Sequence, residues 1–348
     1  MTSAPVTIPS GIGDIDPAWL SAALGAAVTD LVAERIAEDS GFSALVYRLH
    51  LTGEGAVPST VIAKLPADSE ARGAMEMLGG YRRELTFYSQ VAGRGMDTPQ
   101  VYLAMIDDNG VDFVLLLEDL GGWDNADHLA GLSLDRAELA IDALAGLHSW
   151  SVQPSNSAVL PLFPAMDMPT VRDLLVNVFA PGWEIYREHT TSSVPPRVAS
   201  FAERFDQCAP AALAALTERA MLLHGDIRAD NMFFAGDRLK VVDFQFACRG
   251  CGPADIAYLV SQGLPSDVRR GRDDVLLRSY LTALTGVEYP FDQAWRHYRM
   301  AVAYLLLMPV VSLLGWDSLP PRARSLCLTL TDRSVAAIDD IDAVDEFA

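Results

Sequence analysis

The sequence predicts an α+β chain of two lobes, the first rich in strands and the second mainly helical. Two pairs of strand-like runs, 42–51 with 60–65 and 101–106 with 111–117, fill the first third, each pair joined by a turn. From Ser133 onward apolar residues recur at helical spacing over long stretches. Three short apolar runs, LLH, MFF and LKVVDF, interrupt that pattern at 220–250 and read as a small strand cluster.

Taken in order, the run 42–51 follows the turn-like Asp39-Ser-Gly41, and the run TVIAKL at 60–65 is ended by Pro66. The turn 54–58 makes these two a hairpin. Tyr81, Leu85, Tyr88 and Val91 then define an amphipathic helix over 80–92. The second hairpin closes around Asp107-Asp-Asn-Gly110. Acids and glycines at 118–122 mark a junction, which sets residues 1–118 as the first lobe, with 1–34 as an N-terminal extension, and 119–348 as the second. Ser133 is placed to cap a helix with Ala137, Ile141, Leu144, Ala145 and His148 on one face. Further helices are expected at 170–188, 196–217, 273–284, 293–314 and 321–338.

Half of the 348 residues are hydrophobic and 21% are charged, with glycine and proline spread along the chain, as in a globular protein. The formal net charge of -20 argues against nucleic acid and anionic membrane surfaces as partners. The N-terminal residues show no basic segment followed by an apolar run, so a cytoplasmic location is expected. The most apolar segment, 300–316, falls short of the roughly 20 residues that span a bilayer and contains Pro309. It reads as a buried helix kinked or broken near the proline. Cys248 and Cys251 form a lone CxxC without the further ligands a structural zinc would need.

The chemistry concentrates in LLHGDIRADNMFF, residues 222–234. Asn231 follows Asp226 by five positions, and Asp243 ends a strand-like run after a further twelve, so a hairpin brings Asn231 and Asp243 to neighbouring strand ends. An amide oxygen beside a carboxylate suits a hard cation such as Mg2+. Asp226 is then left to meet a hydroxyl. The order H-x-D-x-x-x-x-N followed by D-F matches the phosphoryl-transfer template, which also demands a strand lysine and a helix glutamate. Lys64 in TVIAKL and Glu84 in YRRELTFY meet the demand, and Lys64 is one of only two lysines among 26 basic residues. A lysine in an apolar strand is costly unless its charge is paired.

HGDIRADN with VVDFQ resembles the aminoglycoside phosphotransferase and choline kinase superfamily of small-molecule kinases, whose loop reads H-G-D. The DFQ ending, PADIAYLV at 253–260 and YRRELTFY are most similar to its ecdysteroid-kinase-like branch, and LAGLHSW at 144–150 is similar to a helix motif of the superfamily. The resemblance spans roughly residues 35 to 315. It implies a bilobal protein-kinase-like fold, ATP as donor with GTP open, Mg2+, and a small-molecule hydroxyl acceptor. It further implies Asp226 as catalytic aspartate, Asn231 and Asp243 as metal ligands, and Lys64 as phosphate-binding residue with Glu84 as its partner. The backbone from Glu118 to Leu120 would face the adenine edge, and Asp255 would brace the catalytic loop.

Two departures stand out. There is no G-x-G-x-x-G in the first hairpin, only Ser40 and Gly41 in a shorter turn, which would make the phosphate contacts there. Arg228 stands where protein kinases of the H-R-D-L-K type carry lysine. It reads either as a fixed cation toward the γ-phosphate or as a salt bridge to Asp230 or a surface acid. His224 reads as a brace whose imidazole bonds a backbone carbonyl, and His148 as a packed helix histidine. The acceptor is open among aminoglycosides, sugars, amino alcohols, sterol-like and acyl alcohols. A protein kinase is disfavoured because no glycine follows Phe244 and no A-P-E follows. A catalytically silent nucleotide-binding regulator would have no need of Lys64, Asp226, Asn231 and Asp243 together.

Overall fold

The computed structural model describes residues 6–36, 44–67 and 70–348, and in it the two predicted hairpins become parts of one sheet. Strands β1 (Ala27–Ile36), β2 (Ala44–Glu54), β3 (Thr60–Pro66), β4 (Val101–Ile106) and β5 (Phe113–Glu118) pair antiparallel in the order β1-β2-β3-β5-β4. Successive side chains of a strand point to opposite faces. Val61, Ala63 and Leu65 of β3 therefore join Leu49, Leu51, Val114 and Leu116 in one core, while Lys64 lies on the other face, paired across to Val46 and Leu115. Residues that read from sequence as an N-terminal extension supply helix α1 (Pro17–Leu24) and the edge strand β1. Ile15, Leu20 and Val28 pack into the same core. The register of β1 shifts between Val28 and Asp30, and there Gly53 is obligatory: a Cβ on it would sit 2.3 Å from the Ala27 carbonyl oxygen. Helix α2 (Glu70–Leu78) leads into α3 (Gly80–Gln90), which buries Tyr81, Glu84, Leu85, Phe87 and Tyr88.

These elements belong to one compact unit, made of the described residues of Met1–Gly93 with Asp97–Trp123 and Val242–Phe246. The second unit holds Arg94–Met96, Asp124–Val241 and Ala247–Ala348. It opens with β6 (Asp124–Asn125) and α4 (Leu134–Ser151), whose first turn is capped by Ser133 Oγ accepting the Arg136 N–H. The helix expected at 170–188 is instead a π-turn at Val171–Leu175, a 3-10 turn at Val176–Val178 and α5 (Phe179–His189). The helix expected at 196–217 divides into α6 (Pro196–Ala202) and α7 (Phe205–Leu216).

The strand cluster comprises β7 (Met221–Leu223), β8 (Met232–Ala235), β9 (Arg238–Val241) and β10 (Cys248–Gly250), arranged as a β6-β8-β9 sheet and a β7-β10 pair. Helices α8 (Pro253–Gly263), α9 (Ser266–Arg269), α10 (Asp273–Ala283), α11 (Phe291–Tyr304), α12 (Leu307–Ser312) and α13 (Pro321–Asp340) complete the unit. The apolar helical stretch Phe291–Gly315 is long enough to cross a membrane, yet 67% of its apolar window is buried within the fold. It breaks at 305–306, four residues ahead of Pro309, because a proline ring collides with the carbonyl four positions back and donates no N–H to it. Cys251 is fully buried, and burial pushes its thiol up to about 12, which makes it a poor nucleophile.

Candidate active site

The predicted site residues fall into two sets, one in each unit. In the first, Lys64 projects from β3 and its Nζ donates to both oxygens of Glu84 on α3, at 2.7 and 2.8 Å. Glu84 is only 1% exposed, and its Oε2 also accepts the Gln245 amide at 3.2 Å. Asp243 Oδ1 lies 3.5 Å from the same Nζ. Burial works against the Lys64 charge, but Asp243 and Glu84 outweigh it and hold the ammonium above its usual range. Burial raises the Glu84 carboxyl, with the Asp243 charge adding to the effect and Lys64 opposing it. The cation thus joins two acids that would otherwise repel each other.

Asp243 has φ 67, and among the described residues the only other non-glycine residue with positive φ is Asp342. This left-handed conformation is unfavourable for most side chains, though acids tolerate it better than bulkier residues. Packing of the neighbouring Phe244 sustains it. The Phe244 ring stacks on Phe87 with centroids 3.4 Å apart, and Tyr88 meets it edge-on at 5.5 Å. At the end of β5, the Glu118 N–H donates to the Gln100 carbonyl and the Leu120 carbonyl accepts the Trp123 N–H. Arg48 Nε grips Asp119 Oδ2 at 2.8 Å, and this fixes the backbone between Glu118 and Leu120. Ser40 and Gly41 lie outside the described residues.

The second set is the loop 224–231. Asp226 is 6% exposed and follows Gly225, whose φ of 79 explains why this loop reads H-G-D: an arginine there would be strained. Asp255, at the start of α8, accepts the His224 N–H at 2.7 Å and the Gly225 N–H at 3.0 Å. His148 on α4 reaches the same carboxylate through Nε2 at 3.3 Å, with its Nδ1 3.0 Å from the Tyr280 hydroxyl, so this helix histidine is part of the brace. The His224 ring braces the loop from within, its Nδ1 accepting the Asp226 N–H at 3.2 Å. Arg228 Nε lies 3.3 Å from Asp226 Oδ2, an acid two positions back that the sequence reading did not name for it. Asn231 donates Nδ2 to the Asp226 carbonyl at 2.9 Å, which leaves its amide oxygen for another partner.

Burial alone would raise the Asp255 carboxyl, but the hydrogen bond from His148 and the Gly225 amide bring it below the usual aspartate range. A depressed carboxyl contributes stability above its unfolded value of about 3.8 and loses it as pH falls through the folded value. Replacing Asp255 by asparagine removes the charge and one acceptor, leaving a buried backbone N–H facing an amide. We expect Asp255→Asn to lose about 2–3 kcal/mol at pH 7. Urea unfolding should show that difference undiminished at pH 6 and shrinking below about pH 4.

Several residues here carry no catalytic signal in sequence. Tyr258 on α8 donates its hydroxyl to Asp226 Oδ1 at 2.9 Å. His128 is fully buried, and its Nδ1 accepts the Ala229 N–H at 3.2 Å while its own backbone N–H donates to Asp230 Oδ1 at 2.8 Å. Burial holds its imidazole well below the ordinary histidine range, and Arg228 and Arg333 act in the same sense. Only Tyr258 could have been suspected, since it lies three positions after Asp255 on one helix face.

Compared with known proteins, residues 34–298 match the model of the phosphotransferase enzyme family. The chain belongs to that family and is a phosphotransferase. Its α+β architecture is protein-kinase-like. A putative aminoglycoside phosphotransferase from Ralstonia eutropha is similar over 94% of this chain and 97% of its own, with TM-score 0.57 and 15% identity. The ethanolamine kinase of Plasmodium vivax is similar over 87% of this chain and 82% of its own, with TM-score 0.54 and 12% identity. The GDP complex of aminoglycoside 2'-phosphotransferase-IIIa is similar over 88% and 93%, with TM-score 0.54 and 17% identity. At these identities the likeness is one of fold. No curated protein matches the chain.

Proposed function

We propose that the chain moves the γ-phosphoryl group of ATP to a hydroxyl of a small molecule, in an Mg2+-dependent reaction. The observation that carries this reading is the buried Lys64–Glu84 pair with Asp243 at 3.5 Å from Lys64 Nζ. Phosphoryl transfer asks for a fixed cation on the nucleotide phosphates, and a lysine held by a buried glutamate is such a cation. The first lobe would then bind the nucleotide, with the backbone from Glu118 to Leu120 on the base and Lys64 on the phosphates. The second would carry the catalytic loop and the acceptor site.

The chemistry of each donor suits a hard cation. Asn231 has an amide oxygen to spare, and Asp243 offers a carboxylate with a side chain 29% exposed. These two residues would hold Mg2+, whose chemistry is to neutralise charge on the phosphate oxygens. Asp226 would orient the acceptor hydroxyl and take its proton as the oxygen attacks the γ-phosphorus and ADP departs. Arg228, held against Asp226 Oδ2, would add positive charge beside the transferring group. GTP is the alternative donor, and the GDP complex of the related fold keeps it in view.

The acceptor reading from sequence, nearest the ecdysteroid-kinase-like branch, puts sterol-like alcohols beside aminoglycosides, amino alcohols, sugars and acyl alcohols. The test is ADP release from ATP with Mg2+ against kanamycin, spectinomycin, choline, ethanolamine, a hexose, a sterol alcohol and a long-chain alcohol. One or more should raise the rate at least about tenfold over buffer, and GTP in place of ATP settles the donor. Excess EDTA should abolish the stimulated rate and Mg2+ restore it. No stimulation by any acceptor, with either nucleotide, would overturn the proposal.

A further inference from the structure

Asp226 and Tyr258 belong to the same unit and meet by a single short bond. Tyr258 is 4% exposed, and its hydroxyl donates to Asp226 Oδ1 at 2.9 Å. The other carboxylate oxygen, Oδ2, lies 3.3 Å from Arg228 Nε. Helix α8 is buried at every position from Pro253 to Gly263, so it is a rigid support. It already holds the backbone on the N-terminal side of Asp226, through Asp255 and the His224 and Gly225 amides. Three residues along the same helix face, Tyr258 reaches the carboxylate itself.

We infer that Tyr258 is a positioning residue, whose hydroxyl locks the rotamer of Asp226 so that the carboxylate meets the acceptor hydroxyl in the reactive orientation. The inference rests on the assignment of Asp226 as the base. A carboxylate can only accept, so the phenol is the donor, and burial keeps that phenol protonated far above the ordinary tyrosine range. The ring packs into the core, but core packing needs no hydroxyl: a phenylalanine would fill the same space without burying a polar atom. The hydroxyl is therefore explained by its partner. Misplacement of a reacting group by about 1 Å can cost on the order of 100-fold in rate.

The test compares wild type, Tyr258→Phe, Asp226→Asn and the double variant. The assay is ADP release with ATP, Mg2+ and whichever alcohol of the panel gives the highest rate. Rates are normalised to nucleotide-binding sites, so that loss of folded protein does not count as loss of kcat. Tyr258→Phe should lower kcat by roughly 10- to 100-fold, with KM for ATP and for the alcohol within about twofold of wild type. In the Asp226→Asn background the same change should have no further effect, because the group it positions can no longer accept a proton. Wild-type kcat in Tyr258→Phe, an effect confined to KM, or an equal loss in both backgrounds would each overturn the inference. Full activity of Asp226→Asn alone would instead overturn the assignment of Asp226.

Discussion

Asp226→Asn is expected to lower kcat by about 10²–10⁴-fold, the usual range for removing a positioned acid or base, while nucleotide affinity stays within about twofold. The substitution is close to isosteric. It retains an oxygen for the Tyr258 hydroxyl and leaves the Asn231 amide its bond to the residue 226 carbonyl, since that carbonyl belongs to the backbone. The Arg228 guanidinium loses a charged partner, at a site where its side chain is 28% exposed, so the stability change should be small. Thermal shift with ATP and Mg2+ would report nucleotide binding, and ADP release would report turnover. Retained turnover shows that the proton goes elsewhere; lost turnover together with lost binding shows that Asp226 belongs to the nucleotide site.

Lys64→Met should have the largest effect on stability. The variant leaves Glu84 1% exposed, with Gln245 as a hydrogen-bond donor but no cation. Breaking a buried pair by removing one partner costs about 3–5 kcal/mol, because the remaining charge is uncompensated. The sign of the pH dependence follows from Glu84. Its carboxyl is raised in the fold above 4.5, so the folded state holds that proton more tightly than the unfolded chain does. Stability from this group therefore falls as pH rises through 4.5 and beyond, and Lys64 offsets that fall in the wild type. The deficit of Lys64→Met in urea should be smaller at pH 5 than at pH 8. Lys64→Met combined with Glu84→Gln should recover much of the lost stability without recovering turnover, which is expected to drop about 10²–10³-fold in both variants. Recovery of activity in the double variant would show that the pair is structural only.

How much of the fold and the site was legible in the sequence depends on the range of the interactions involved. The hairpins of β2 with β3 and of β4 with β5 were readable because alternation and turn chemistry are local. Strand β1 was not: an edge strand with one face in water shows Asp30, Glu34 and Arg35 where alternation would be sought, and only Val28 is buried along it. The divided helices at 170–188 and 196–217 read as continuous, because apolar periodicity survives a break of one or two residues.

The order and spacing of Asp226, Asn231, Asp243, Lys64 and Glu84 are properties of the sequence alone. They are the signs of phosphoryl transfer, since that chemistry requires few residue types at fixed places on strand, helix and loop. Tertiary structure decided what those side chains touch. It gave Asp243 its left-handed backbone, set Arg228 Nε beside Asp226, turned a His224 ring nitrogen toward an amide, and brought Tyr258 to Asp226 and His148 to Asp255 from separate helices. Each of those contacts is set by packing between segments or by a side-chain rotamer. Neither leaves a periodic trace in the chain, so only the folded molecule displays them.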